Sequence, residues 1–357
     1  MYNLEHYFQL EKIMCHSFFA KNFRAFKEIE IPKLNKVNLF LGKNSVGKTA
    51  LLEALYLHLH SNKIKAIQNI LVKKDEHLSD GDDYSSVGSV VRHLFHNHQL
   101  SNFDKEGVVF GEITKQGKPA KNKLTEIKTT IEDNDEVLEV VKNKDKNHVL
   151  LRDDFDDSYR RSRFMRRHRP RTMENNNLQF VYSSGSGDIV RMWDNIDLTD
   201  KQSKVIEALQ IIEPNLEGIK FVEQNRSRDR AAKASINGEI VPFKSMGDGI
   251  NRILYIILSM VNAQDGYLLI DEFENGLHYS VQEQVWEVVF TLAKSLNVQV
   301  FATTHSSDCI KAFGSQWKGD EKSATMYRIN YKNRQHSVMP YNLANLNDAL
   351  DTNTEVR

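Results

Sequence analysis

An α/β fold whose parallel sheet delivers a phosphate-binding loop to one edge follows from three stretches of this sequence. The first is Gly42-Lys43-Asn44-Ser45-Val46-Gly47-Lys48-Thr49. It satisfies G-x-x-x-x-G-K-[ST] and lies between an apolar run (Val37, Leu39, Phe40, Leu41) and helix-forming residues over 49–59. The second, Tyr267-Leu268-Leu269-Ile270-Asp271-Glu272, is an apolar run that ends in two acids. The third is a buried-strand pattern over 298–304, ending in His305. Continuous apolar runs of this kind belong to strands covered on both faces.

Each stretch carries a chemical demand. Gly42 and Gly47 let the backbone curl so that the loop N–H groups, those of Asn44, Ser45 and Val46 among them, converge on phosphates. Lys48 adds positive charge for the outer phosphates, and the Thr49 hydroxyl is placed to ligate Mg²⁺. At the end of its strand Asp271 is expected to hold the hydration shell of that ion, so the metal residues are Thr49 and Asp271. Glu272 is expected to orient and polarise an attacking water. A strand that merely stops at solvent would carry the same two acids, but the phosphate loop upstream favours the functional reading. A lone histidine at a strand end is more often structural. Neighbouring parallel strands end at one edge, however, which brings His305 to the γ-phosphate side beside Glu272.

The remaining elements follow in order. Residues 1–14 are mixed in character and read as a flexible leader, which leaves 15–357 as one domain. Aromatic and β-branched residues predict strands over 15–26 and 27–41, the second running into the phosphate loop. Leu51, Leu52, Leu55, Leu57 and Leu59 mark the helix after it. Ile64, Ile67, Ile70 and Leu71 predict another over 63–72. A polar gap with Gly81, Asp82 and Asp83 precedes a short helix near 89–95. Alternating runs over 108–113, 124–131 and 137–141 predict a small antiparallel sheet inside an insertion over about 60–200. Residues 142–177 are the most charged part of the chain and have little periodicity. Thr199 and Gln202 fit a capping box for a helix over 200–212, with Pro214 after its end. Strand-like runs over 326–331 and 337–341 come last, and there is no internal repeat.

Composition narrows the setting. Lys plus Arg and Asp plus Glu both total 48, so net charge selects no partner. Cys15 and Cys309 are the only cysteines, which excludes a disulfide framework and a thiolate metal site. No stretch reaches the ~18 apolar residues of a membrane span and no signal peptide opens the chain. The expectation is a cytoplasmic protein with no membrane partner.

Ser245-Met246-Gly247-Asp248-Gly249-Ile250-Asn251-Arg252 precedes an apolar helix over 253–261. A serine and two glycines at a helix start make an anion site of backbone N–H groups and hydroxyl. Alternatively, Asp248 or Ser245 only caps the helix. Its place one helix before the double-acid strand favours the anion site.

Taken in order, GKNSVGKT, SMGDG, YLLIDEFENGLH and ATTHSSD resemble the ATP-binding-cassette (ABC) ATPases of the SMC/RecF/OLD-like group, closest to stand-alone AAA_15/AAA_21-type ATPases. The resemblance covers about 18–59 and 242–313. It implies a P-loop NTPase of ABC-ATPase head type, with the antiparallel sheet and a helical, charged segment inserted. It also implies ATP and Mg²⁺ as cofactors, and closure of two heads face to face as a homodimer or higher homo-oligomer. Each ATP would then lie between one subunit's phosphate loop and the other's signature. On these positions Lys48 and Thr49 bind phosphate and Mg²⁺, Asp271 is the Walker B acid and Glu272 the catalytic base. Ser245 and Gly247 match the signature, 274–278 the D-loop and His305 the switch histidine.

There are departures from that pattern. The signature reads SMGD rather than the LSGGQ of transporters, and Asp248 beside a γ-phosphate would be repulsive unless it points away or caps the helix. The Q-loop glutamine is not placed by the pattern, Gln99 being a candidate, and no segment sustains the heptads of a long coiled coil. The chain ends about fifty residues beyond His305, too few for the Toprim domain of OLD nucleases. A nuclease or toxin is therefore expected on a separate effector chain.

One further stretch bears on partners. Arg160, Arg161, Arg163, Arg166, Arg167, Arg169 and Arg171 are seven arginines in twelve residues. Guanidinium forks suit phosphates, which points to duplex DNA. Asp153, Asp154, Asp156 and Asp157 just before them would equally neutralise the patch. Arg226, Arg228, Arg230 and Lys233 form a smaller basic group that could face ATP across a dimer or a polyanion, and Arg252 is read as a support for the signature loop.

Three functional readings follow. One is an ATPase that controls a separate effector, as OLD-like ATPases do in anti-phage defence. Another is a RecF/SMC-like DNA-binding ATPase in repair or maintenance. The last is an assembly scaffold with negligible turnover, against which Glu272 and His305 argue.

Overall fold

The structure is a computed structural model that describes residues 14–74, 76, 91–98, 107–114, 116–120, 123–132, 135–142, 145–150, 177–183, 188–223 and 230–346. Its strands are β1 (Phe18–Phe23), β2 (Phe26–Ile31), β3 (Val37–Leu41), β4 (Val108–Gly111), β5 (Thr125–Glu132), β6 (Asp135–Lys142), β7 (Asp145–Leu150), β8 (Leu178–Val181), β9 (Leu216–Glu223), β10 (Arg230–Ile236), β11 (Glu239–Pro242), β12 (Tyr267–Ile270), β13 (Gln299–Thr304), β14 (Ala324–Lys332) and β15 (Gln335–Tyr341). The helices are α1 (Lys48–Leu59), α2 (Lys63–Lys73), α3 (Ile189–Asp194), α4 (Lys201–Gln210), α5 (Asp248–Asn262), α6 (Gln282–Ser295) and α7 (Ser307–Trp317).

The sheet that carries the site has the order β15-β14-β3-β13-β12-β8. All neighbours from β14 to β8 are parallel, and β15 closes one edge as an antiparallel hairpin strand. Period-two alternation sorts its side chains to two cores. Leu39, Leu41, Val181, Leu268, Ile270, Val300 and Ala302 pack toward α3 to α7, while Phe40, Phe180, Leu269 and Phe301 pack toward α1, α2 and the second sheet. Helix α1 lies between the two sheets. That explains why it is apolar nearly all round and why even Glu53 on it is buried, 2.7 Å from the Arg24 guanidinium.

The second sheet, β2-β1-β4-β5-β6-β7, is antiparallel throughout, and β9 to β11 form a third sheet of three strands. Several expectations are corrected here. The run 27–41 is not one strand. Strand β2 folds back on β1 at the turn between Phe23 and Phe26, and Pro32, which cannot donate to a ladder, ends β2, so that residues 32–36 carry the chain across to β3 in the other sheet. The antiparallel sheet expected over 107–141 takes in β1 and β2, because Ala20 pairs with Phe110 across ninety residues of sequence, a pairing invisible to local patterns. It also gains β7, whose polar start is carried by the β6 ladder.

Other differences are local. The short helix near 89–95 includes a 3₁₀ turn at Arg92–Leu94. The capping box at Thr199 does not form, because the Gln202 amide donates to Asp197 and the Thr199 hydroxyl to the Ile196 carbonyl. Strand β8, the sheet β9 to β11 and helices α6 and α7 were not anticipated. The leader over 1–13, the polar gap at 81–83 and the charged run over 151–176 lie outside the described residues.

Candidate functional site

The parallel register fixes which residues meet. Leu41 pairs with Thr304, and Ile270 pairs with both Ala302 and Val181. The turns after β3, β12, β13 and β8 therefore leave one edge of the sheet together. Three of them begin with Gly42, Asp271 and His305.

The phosphate loop is held by its neighbours. A Cβ on Gly42 (φ 153°) would lie 2.7 Å from the Ile329 carbonyl oxygen on β14. One on Gly47 (φ 93°) would lie 2.8 Å from the Phe26 ring on β2. Only glycine fits either place. Ser45 between them also has positive φ, at 64°. Gly47 caps α1, so the loop ends on a helix N-terminus, a ready anion site. Lys48 is 7% exposed, and its Nζ donates to the carbonyls of Gly42 (2.7 Å) and Lys43 (2.9 Å). Burial pushes its pKa down, and the carboxylates of Glu274, Glu272 and Asp271 oppose that shift.

Asp271 is fixed from every side. The Thr49 hydroxyl donates to Oδ2 at 2.9 Å, with Oδ1 at 3.2 Å. The Thr303 hydroxyl donates to Oδ1 at 2.8 Å and accepts the Glu272 N–H at 2.9 Å. The Asp271 N–H donates to the Val181 carbonyl, and the Asp271 carbonyl accepts from Arg252 Nη2 at 3.2 Å. Arg252 Nη1 donates to the Tyr182 carbonyl at 2.6 Å, so this buried guanidinium ties α5 to two strand ends. Glu272 is half-buried at φ 48°. A non-glycine residue held there costs about 1–3 kcal/mol. Phe273, which stacks on Trp286 at 3.8 Å and is fully buried, anchors the turn with about 2 kcal/mol of burial.

A hydroxyl and a carboxylate in contact beside a phosphate loop are hard oxygen donors. That is the donor set Mg²⁺ takes from protein when phosphates and water supply the rest. Thr49 and Asp271 therefore fit the ion that the loop motif implies.

The His305 N–H donates to Glu274 Oε1 at 2.8 Å, and His305 Nδ1 lies 3.0 Å from the same oxygen. Ser245 and Gly247 sit elsewhere. Ser245 is exposed in the 3₁₀ turn Phe243–Met246, where its hydroxyl donates to the Pro242 carbonyl at 2.7 Å, and Gly247 (φ 98°) faces open space before α5. Helix α5 leans on the 274–278 turn, since a Cβ on Gly249 would lie 3.3 Å from the Gly276 carbonyl oxygen. Arg230 pairs with Asp194 at 2.7 Å within the chain. Gln99, Arg160 to Arg171, Arg226, Arg228 and the side chain of Asp248 lie outside the described residues. Sequence reasoning missed Thr303 and the reach of Arg252. The only signal for Thr303 was a hydroxyl two positions before His305.

A match to AAA_15, an AAA ATPase domain, runs over residues 14–186 and 192–310. The chain belongs to that family. This AAA_15 ATPase is 24% identical over 337 residues to the "ATP/GTP phosphatase" of Helicobacter pylori, covering 84% of this chain and 87% of the relative. It is 42% identical over 65 residues to "Uncharacterized protein MJECL11" of Methanocaldococcus jannaschii, covering 18% of this chain and 57% of that one. Among solved structures it is similar to the SMC head domain from Thermotoga maritima, with a TM-score of 0.46, 11% identity, and coverage of 91% of this chain and 98% of that chain. It is also similar to the SmcHead bound to the C-winged helix domain of ScpA, with a TM-score of 0.48, 12% identity, and coverage of 94% and 99%. The α/β phosphate-loop fold read from the sequence holds. Among the described residues no helix is long and apolar enough to cross a membrane.

Proposed function

We propose that this AAA_15 ATPase binds ATP with Mg²⁺ at the 42–49 loop, hydrolyses it with Glu272 as the base, and closes on it as a homodimer that governs a separate effector. The observation that carries this reading is the Thr49 to Asp271 hydrogen bond across two strand ends, with Glu272 and His305 at the same edge. Lys48 exchanges the carbonyls of Gly42 and Lys43 for the outer phosphates, and the loop N–H groups bind the rest. Mg²⁺, when bound by Thr49 and Asp271, neutralises charge developing on the phosphates. Glu272 orients the attacking water and takes its proton, while His305 reports the γ-phosphate; phosphoryl transfer asks chiefly for such positioning.

Ser245 and Gly247 supply the second half of the site from a partner copy. Their exposure and their hydrogen bonding away from the phosphate loop support that role. Similarity to the "ATP/GTP phosphatase" of Helicobacter pylori supports hydrolysis. By the resemblance to OLD-like ATPases, the process is anti-phage defence.

The test is steady-state ATP hydrolysis with and without duplex DNA, using Glu272→Gln as the blank. Turnover indifferent to DNA supports control of a protein effector. Stimulation that vanishes when Arg160 to Arg171 are neutralised favours a DNA-binding ATPase, and no turnover above the blank leaves only the scaffold.

A further inference from the structure

Glu274 is unlike the two acids before it. Asp271 is enclosed by hydroxyls and Glu272 emerges from a strained backbone, whereas Glu274 turns back toward β13. Its Oε1 accepts the His305 N–H at 2.8 Å and lies 3.0 Å from His305 Nδ1. Its side chain is 11% exposed, and its Oε2 is buried with no hydrogen-bond partner among the described residues. Its charge, with those of Glu272 and Asp271, opposes the lowering of the Lys48 pKa by burial. Its contact with His305 places Glu274 at the same sheet edge as Asp271 and Glu272. A carboxylate has no proton to give Nδ1, so this contact is attractive only when Nδ1 carries the proton.

We infer that Glu274 is a positioning residue: it clamps His305 by backbone and ring together, holds the proton on Nδ1, and so presents Nε2 to the γ-phosphate side. The inference rests on the role proposed for His305. With its proton on Nδ1 the neutral imidazole presents Nε2 as an acceptor, and a doubly protonated ring presents it as a donor to phosphate. Residue 274 would therefore set how the switch histidine responds to the terminal phosphate. Glu274 itself takes part in no bond making or breaking.

A double-mutant cycle on kcat tests this, with Glu274→Ala, His305→Ala and the pair, and ATP affinity followed with a fluorescent ATP analogue. Each single change should lower kcat about 10- to 100-fold while ATP Kd stays within about twofold, and the pair should be no slower than the slower single variant. Defects that multiply would overturn the inference, because Glu274 would then act independently of the histidine.

In ¹⁵N-histidine-labelled protein, His305 should carry its proton on Nδ1 in the parent and in Glu274→Gln, whose amide oxygen still accepts. It should revert to Nε2–H in Glu274→Ala. A tautomer unmoved by Glu274→Ala contradicts the clamp. His305→Ala at parental kcat would instead sink the role of His305, and the tautomer of Glu274→Ala would still decide the contact.

Discussion

The edge of the central sheet and the signature turn before α5 carry the same kind of residues, small and polar at a helix start, yet they are built differently. At the sheet edge most polar side chains are already engaged: Lys48 on two carbonyls, Thr49 and Thr303 on Asp271, and Glu274 on His305. At the turn before α5, Ser245 is exposed and its hydroxyl donates to its own turn, and a Cβ on Gly247 would meet open space. Pre-organisation costs folding energy and is worthwhile where charge must be stabilised at once. An open turn fits the proposal that a second copy supplies its complement. The contrast supports a site split between two copies, one contributing the closed half and the other the open half.

The largest break comes from the closed half. Lys48→Ala removes the buried charge facing the outer phosphates and should weaken ATP binding about 100-fold or more, about 3 kcal/mol, by calorimetry. Unchanged affinity would remove the loop from the account. Thr303→Val keeps shape but leaves the Glu272 N–H and Asp271 Oδ1 without their shared partner. It should cost about 1–3 kcal/mol of stability in urea unfolding and about tenfold in kcat.

The open half should respond otherwise. Ser245→Ala should leave ATP affinity of the single chain within about twofold and lower turnover about tenfold. Mixed with Lys48→Ala, it should regain turnover above either variant alone, because one composite site then carries neither defect. A mixture no faster than its parts would mean that the site is complete within one chain.

An effect outside the site lies at the far end of α1. His58 is buried against the rings of Phe18 (5.8 Å) and Phe110 (6.2 Å), and burial, helped by Lys63, pushes its pKa from 6.5 down to about 3. The unfolded chain then binds the extra proton between those values, so the stabilisation is full above pH 6.5 and is lost as pH falls toward 3. At pH 5 the loss is about 2 kcal/mol. His58→Leu should therefore lose less stability than the parent between pH 7 and pH 5, as read by urea midpoints. An equal loss would show that His58 is accessible to protons.

How much of this was legible beforehand depends on sequence distance. The Gly42 to Thr49 loop, the strand ending in Asp271 and the strand ending in His305 were readable because their chemistry and burial are local. The pairing of Ala20 with Phe110 and the crossing to the other sheet after Pro32 were not, since they depend on contacts between distant segments. The same holds inside the site. Thr303 and Arg252 act through partners 32 and 19 residues away, and nothing in their own neighbourhood marks them as supports of Asp271. Strand β7 was hidden by its turn-forming residues, whose preference the β6 ladder overrides.

The most direct test of the split site is the mass in solution of Glu272→Gln with saturating ATP and Mg²⁺, measured by light scattering against the nucleotide-free chain. The account predicts a shift from the mass of one chain to that of two, reversed when Lys48→Ala is added. A single-chain mass with ATP demonstrably bound would contradict it.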